Sequence, residues 1–263
     1  MASEWANLLL RWLHVFAGIL WVGQTWLFMW MERRFQDAEE NPDGRVFMVH
    51  SGGFYVVEKR PALESLPRTL HWFKWEAALT WTSGLALLVV VYYMGGLMYG
   101  GDEALGERTA IALGLLLLPA TFVTYDVFWS RVSKRAEIPA AAVSLLAIVA
   151  LTWALGRVFP ARAAYMHIGA ALGTIMVANV WQRILPAQRE MVAAIRAGRP
   201  PDLSLGERAK ERSKHNGFIV VPLVLVMLSN HFPTATYAHE HAWTVLGGLT
   251  LLGWAAVWLV RRR

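Results

Sequence analysis

Cysteine is absent from this chain. No disulfide, iron–sulfur cluster, thiolate-ligated haem or covalently attached CxxCH haem can be built within it. Any haem must be held by His or Met. Charge is scarce as well: 17% of the 263 residues are Asp, Glu, Lys or Arg, against roughly a quarter in an average soluble domain. Internal repeats and low-complexity tracts are missing. No signal peptide is expected at the amino terminus, because it opens with Glu4 rather than a basic segment, and the apolar run from Asn7 to Met31 is too long for one.

What the sequence has is apolar length. Seven stretches read as spans: Asn7–Met31, Phe73–Tyr99, Thr109–Trp129, Ile138–Phe159, Ala163–Ile184, Gly217–Phe232 with flanks reaching Thr236, and Ala242–Val260. About 20 residues at ~1.5 Å each cross a hydrocarbon core of ~30 Å. Pro222 interrupts the sixth stretch, which is tolerable where a neighbouring group takes the carbonyl it frees. The expected fold is an all-α polytopic membrane bundle, with residues 1–263 forming one integral domain.

The 25 basic residues divide unevenly. Twenty-one fall in residues 32–74, 131–135, 183–214 and 261–263, while Arg11, Arg108, Arg157 and Arg162 take the other side. By the positive-inside rule the amino terminus is expected outside and the carboxyl terminus inside. The formal charge of +6 is then a topogenic signal with some attraction to anionic lipid, and no nucleic-acid partner is expected. Residues 32–72 and 185–216 are long connections, the second with a candidate interfacial helix at Gln188–Ala197. Most of the 14 Trp lie near span ends, as an aromatic belt would place them.

The eight histidines sort by depth. His14 lies about 10 Å inside the first span and His167 about 6 Å inside the fifth, at 1.5 Å per residue. His231 is expected at a comparable outer level, with His239 and His241 just above. His71 and His215 enter spans from the inner side, and His50 sits in the first long loop. From His14 one helix face continues through Gly18, Thr25 and Glu32; from His167 another runs through Ala171, Thr174, Ala178 and Gln182. Ionisable groups inside a span are functional candidates by default, and facing imidazoles are good haem ligands. Haem b held by His14, His167 and His231 is one expectation. Hydrogen bonding across helices, or a zinc or copper site at His231, His239 and His241, are the alternatives. Glu76 and Asp126, the latter beside Tyr125, lie toward the inner face, where pairing with a base such as Lys74 or proton transfer is expected.

The run Arg11-Trp12-Leu13-His14-Val15-Phe16-Ala17-Gly18-Ile19-Leu20-Trp21 resembles the opening helix of the membrane-bound urate hydroxylases of bacteria. The resemblance continues through His50–Tyr55, His71-Trp72-Phe73-Lys74-Trp75-Glu76, His167–Ala170, Thr174–Val180, Arg212-Ser213-Lys214-His215-Asn216 and Ser229-Asn230-His231-Phe232-Pro233. It implies a multi-pass protein of the bacterial inner membrane that oxidises urate to 5-hydroxyisourate with water and passes electrons to a cytochrome c. Described members carry a C-terminal cytochrome c domain. Without cysteine, this chain is expected to use a separate cytochrome c or another redox subunit. The expected site is an inner pocket of His50, His71, Lys74, Glu76, His215 and Asn216 that binds a small purine, with His or Glu as general base. Haem in the outer layer would pass electrons toward an outer acceptor. Two other classes fit the same residues: a non-catalytic haem-b subunit of a larger respiratory or photosynthetic complex, and a transporter or metal-handling protein. Four-helix haem proteins of the protoporphyrinogen oxidase type have a similar His-containing opening helix over a shorter stretch.

Overall fold

A computed structural model describes residues 2–36, 43–98, 105–132 and 134–262. Eight α-helices and one hairpin occupy them: α1 Ala2–Arg34, β1 Arg45–His50, β2 Gly53–Glu58, α2 Trp75–Leu87, α3 Glu107–Trp129, α4 Glu137–Leu155, α5 Ala161–Ala178, α6 Leu185–Arg196, α7 Leu203–Leu228 and α8 Ala242–Arg262. Two π-helical segments interrupt this series. Leu88–Tyr93 ends α2, and Asn179–Ile184 joins α5 to α6 without a break in helical direction.

Among the described residues, six helical stretches are long and apolar enough to cross a membrane: Glu4–Arg34, Trp75–Tyr93, Glu107–Trp129, Glu137–Leu155, Ala161–Arg196 and Ala242–Leu259. The chain is mostly helical and has the apolar helix lengths of a membrane protein. Its apolar surface says so independently, since Trp12, Ile19, Leu116, Leu146 and Leu252 all stand more than 60% exposed. An aqueous surface rarely carries so much contiguous apolar area. The sixth expected span is the apolar second half of α7 and is not among these six. The second span ends its helix at Tyr93, and its expected limit at Tyr99 lies outside the described residues.

The bundle is built around α5. Nearly every residue from Ala163 to Ala178 is buried, because small side chains let neighbours close in on all sides. Gly169 receives Val226 and Met227 of α7, while Trp81 of α2 donates its indole N–H to Thr174 at 3.0 Å. α7 runs antiparallel to α5: Asn216 meets Asn179 at one end, and Asn230, just beyond α7, meets Arg162 and Met166 at the other. α1 packs antiparallel on α2, with Gly18 against Thr80.

Pro222 lies inside α7 and frees the carbonyl four residues back, that of Phe218. The indole N–H of Trp254 on α8 donates to that carbonyl at 3.1 Å, so a side chain from the next helix fills the gap the proline opens. Trp254→Phe is expected to lower stability by about 1–3 kcal/mol, the cost of a buried polar group stripped of its partner. Thermal unfolding in nanodiscs checks this.

The first long connection departs from an all-α fold. β1 and β2 pair antiparallel, from Arg45 opposite Glu58 to His50 opposite Gly53. Ser51 (φ 52°) and Gly52 (φ 74°) form the turn, with positive φ at both central positions as tight hairpin turns require. At the hairpin base, Lys59 pairs with Glu32 of α1, which also pairs with Lys210 of α7. The candidate interfacial helix is α6, continuous with α5. At the start of α7, Asp202 caps the helix by accepting from the Ser204 N–H and hydroxyl, both at 2.9 Å, which holds its carboxyl below the usual carboxylate range.

Candidate functional site

Three polar helix faces meet where α3, α7 and the π-helical segment after α5 converge. α3 supplies Tyr125 and Asp126. The π-helical segment supplies Asn179 and Arg183, four residues apart. α7 supplies Arg212, His215 and Asn216, at the i, i+3, i+4 spacing that puts side chains on one face. A π turn holds an extra residue and is often found at functional sites; here it brings Asn179 and Arg183 both to bear on α3.

Asp126 is the electrostatic centre. Arg183 Nε donates to Oδ1 at 2.9 Å and its Nη2 donates to Oδ2, while Arg212 Nη2 lies 3.0 Å from Oδ1. Arg212 Nη2 also donates to the Ser130 hydroxyl at 3.0 Å, and the guanidinium lies over the Tyr125 ring at 5.2 Å. Asp126 is 7% exposed and Arg212 8%, so the pair is desolvated and its charges must be matched. Around Tyr125, the phenol oxygen lies 2.7 Å from His215 Nδ1 and accepts from Asn179 Nδ2 at 3.0 Å. Asn179 Nδ2 also donates to Asn216 Oδ1 at 2.9 Å. The His215 ring packs 4.3 Å from that of Trp129. Three atoms of this cluster are buried with no partner among the described residues: His215 Nε2, Arg212 Nη1 and Asn179 Oδ1. Native interiors seldom leave such atoms unpaired, and these three belong to side chains gathered around Tyr125. Arg183, whose side chain is 47% exposed, is the cluster's face to solvent.

Of the residues expected in an inner pocket, His215 and Asn216 belong to this cluster. His50 is at the hairpin tip, exposed, with Nδ1 2.7 Å from the Ser51 hydroxyl. Five residues of strand, ~3.3 Å each, separate it from the hairpin base by roughly 17 Å. His71 is exposed and packs on Phe73. Lys74 lies over Trp75 and Trp181 instead of pairing with Asp126, whose partners are the two arginines. Glu76 is two residues further on, in the first turn of α2; its Oε2 is buried and has no partner among the described residues. Tyr125, Asn179, Arg183 and Arg212 were not in the expected pocket, although Arg212 stands three residues before His215 in the same motif.

The outer histidines do not form one layer. His14 donates from Nδ1 to the Thr80 carbonyl at 2.9 Å, and its ring presses on Gly84. His167 is fully buried. Its Nδ1–H donates to the Ala163 carbonyl at 2.8 Å, leaving Nε2 to accept the Tyr93 hydroxyl at 3.0 Å. The adjoining Trp81–Thr174 bond puts the His14 level about seven residues, or ~10 Å of helix, away from His167. The cause is axial offset: His14 packs against Thr80 and Gly84 midway along α2, whereas His167 lies beside Tyr93 at the far end of that helix. His231 ends a short 3-10 turn after α7 and is exposed. His239 and His241 are exposed too, their rings 6.0 Å apart. Among the described residues no three His, Asp or Glu are grouped to hold a metal ion. An iron between His14, His167 and His231 would need one point reachable by at least two of them and a bare nitrogen on each, whereas Tyr93 already occupies His167 Nε2. The residues present do not fit that arrangement.

The buried His167–Tyr93 pair has a structural consequence. A methyl on Gly114 would lie 2.6 Å from His167 Nε2 and 2.9 Å from the Tyr93 hydroxyl, whereas one on Gly217 would meet only the movable end of Met29. Gly114→Ala is expected to cost about 1–3 kcal/mol by overpacking and Gly217→Ala under about 1 kcal/mol. Paired thermal melts in nanodiscs test the contrast.

A family model described as urate oxidase N-terminal matches residues 1–262. The chain belongs to that family. No curated protein and no solved structure matches it. Membership relates the chain to a urate oxidoreductase family, and the cluster around Tyr125 gathers buried polar side chains from three helical segments. It has an aromatic face, unpaired donors and acceptors, and a guanidinium pair that exceeds its carboxylate by one positive charge.

Proposed function

We propose that this protein oxidises urate to 5-hydroxyisourate at the Tyr125–Asp126–Asn179–Arg183–Arg212–His215–Asn216 cluster. The added oxygen comes from water, and two protons and two electrons are released. The electrons go one at a time to a separate acceptor that docks on the cluster's side of the membrane, a c-type cytochrome or another redox subunit. One observation carries the assignment to this cluster: His215 Nε2, Arg212 Nη1 and Asn179 Oδ1 are buried and unpartnered together, beside paired guanidiniums. Two arginines against one carboxylate leave a net positive site for an anionic substrate. Arg183, the exposed member, must swing aside for entry. Glu76, with an unpartnered buried carboxylate oxygen on α2, is the expected residue assigned to take a proton from water or substrate.

In the same proposal α7 is the seventh crossing, because residues 212 to 230 run alongside the buried length of α5. Seven crossings put the termini on opposite sides. The basic connections, and the cluster with them, then face the cytoplasm of a bacterial inner membrane.

The test is turnover in nanodiscs with urate and added ferricytochrome c. Urate absorbance is expected to fall as cytochrome is reduced, with two cytochromes reduced per urate and the new oxygen taken from labelled water. Oxygen-dependent peroxide formation, or no urate loss with any one-electron acceptor supplied, would reject the proposal.

A further inference from the structure

The hydrogen bonds of the cluster form a chain in which one set of proton positions leaves the fewest hydrogens unpaired. It begins at a backbone carbonyl, which can only accept. Asn216 Nδ2 donates to the Met176 carbonyl at 3.0 Å, and this fixes which end of the Asn216 amide is oxygen. That oxygen, Oδ1, takes a hydrogen from Asn179 at 2.9 Å, so the Asn179 atom there must be Nδ2. The second hydrogen of Asn179 Nδ2 goes to the Tyr125 oxygen at 3.0 Å. Tyr125 has one hydrogen of its own, and His215 Nδ1, 2.7 Å away, is left to accept it. A neutral imidazole bare at Nδ1 carries its proton on Nε2.

We infer that His215 is held as the Nε2–H tautomer and meets the substrate as a hydrogen-bond donor, with Asn216, Asn179 and Tyr125 as the positioning residues that hold it so. The three unpartnered atoms then have defined characters. His215 Nε2–H and Arg212 Nη1 are donors and Asn179 Oδ1 is an acceptor. Two donors and one acceptor match in kind the –NH–C(=O)– edge of a cyclic amide, its carbonyl oxygen taking hydrogens from His215 and Arg212 and its N–H donating to Asn179. The positive excess of Arg183 and Arg212 over Asp126 favours that ring as an anion. The site's ligand class is therefore an anionic oxo-purine or a similar lactam, bound by its edge, and the base that accepts a proton from water or substrate is a group other than His215.

This inference rests on the proposed urate site for its ligand but not for its proton arrangement, so the experiment has two arms. In the first, nitrogen-15 NMR of histidine-labelled protein in nanodiscs, with the His215 signal assigned by its loss in His215→Gln, reads the tautomer without ligand. Protonation at Nε2 is expected, with a shift toward mixed tautomers in Tyr125→Phe and in Asn216→Asp. Protonation at Nδ1 in the wild type overturns the inference, and so does an unchanged tautomer in both variants. If one variant does not fold, the other decides. In the second arm, urate affinity is measured by equilibrium dialysis. Glutamine can place an N–H near Nε2, so His215→Gln is expected to bind urate within about threefold of wild type, while His215→Leu weakens binding about tenfold or more. Equal losses in both overturn the donor role. Failure of the wild type to bind urate, with Nε2 protonated, overturns the proposed substrate and leaves the proton arrangement standing.

Discussion

Asp126→Ala is expected to be the most destabilising single change in the cluster, lowering stability by about 3–5 kcal/mol. The carboxylate is the only anion on Arg212 among the described contacts, and both side chains are about 10% exposed. Removing it leaves a buried guanidinium beside a second one with nothing between them. Arg183 can relax toward solvent, as its exposure allows, but Arg212 is held from α7 with the Ser130 hydroxyl and the Tyr125 ring as its remaining partners. Thermal melting in nanodiscs, with Asp126→Ala compared against Asp126→Ala/Arg212→Met, separates the ion pair from mere packing. The double variant is expected to recover a large part of the loss, because an apolar replacement removes the stranded charge as well. A loss under about 1 kcal/mol in the single variant would mean that the pair is solvated and the cluster open.

The second large effect is on turnover. Arg212→Gln should lower urate kcat/KM by roughly a hundredfold, about 2.7 kcal/mol at 1.36 kcal/mol per tenfold. Arg212 brings the charge, the unpartnered donor and the stacking on Tyr125 together on one side chain. Arg212→Lys should fall between the two, since an ammonium keeps the charge but not the planar fork that serves Asp126, Ser130 and a ligand at once. Arg183→Gln, at the exposed edge, is expected to cost less than tenfold. A reversed order, with Arg183 dominant, would move the binding site outward to the cluster's mouth.

Much of the membrane architecture was legible because lipid sets a length rule that a sequence either meets or does not. The first, third, fourth, fifth and seventh expected stretches all fall on α1, α3, α4, α5 and α8. Even the tolerance of Pro222 was readable as a requirement, though nothing in the sequence named Trp254 as the residue that meets it. The hairpin at Arg45–Glu58 was missed behind its glycine pair, although Ser51-Gly52 between alternating residues is a turn signal. Histidine depth was less legible. Hydropathy locates a span but not its axial offset against a neighbour, and a few residues of offset separated His14 from His167. In the site, Asp126 was conspicuous as an acid within an apolar run, and His215 and Asn216 stood out in their motif. Their partners were hidden because Asn179 and Arg183 are directed by a π-helical segment that ordinary 3.6-residue periodicity does not register.

The most direct test of where urate sits is photolabelling with an 8-azido-oxopurine in nanodiscs, followed by peptide mapping. Urate-competed adducts are predicted on the segments around residues 125–129 and 212–216. Adducts confined to the neighbourhood of His14, His167 or His231, and competed by urate, would contradict the account.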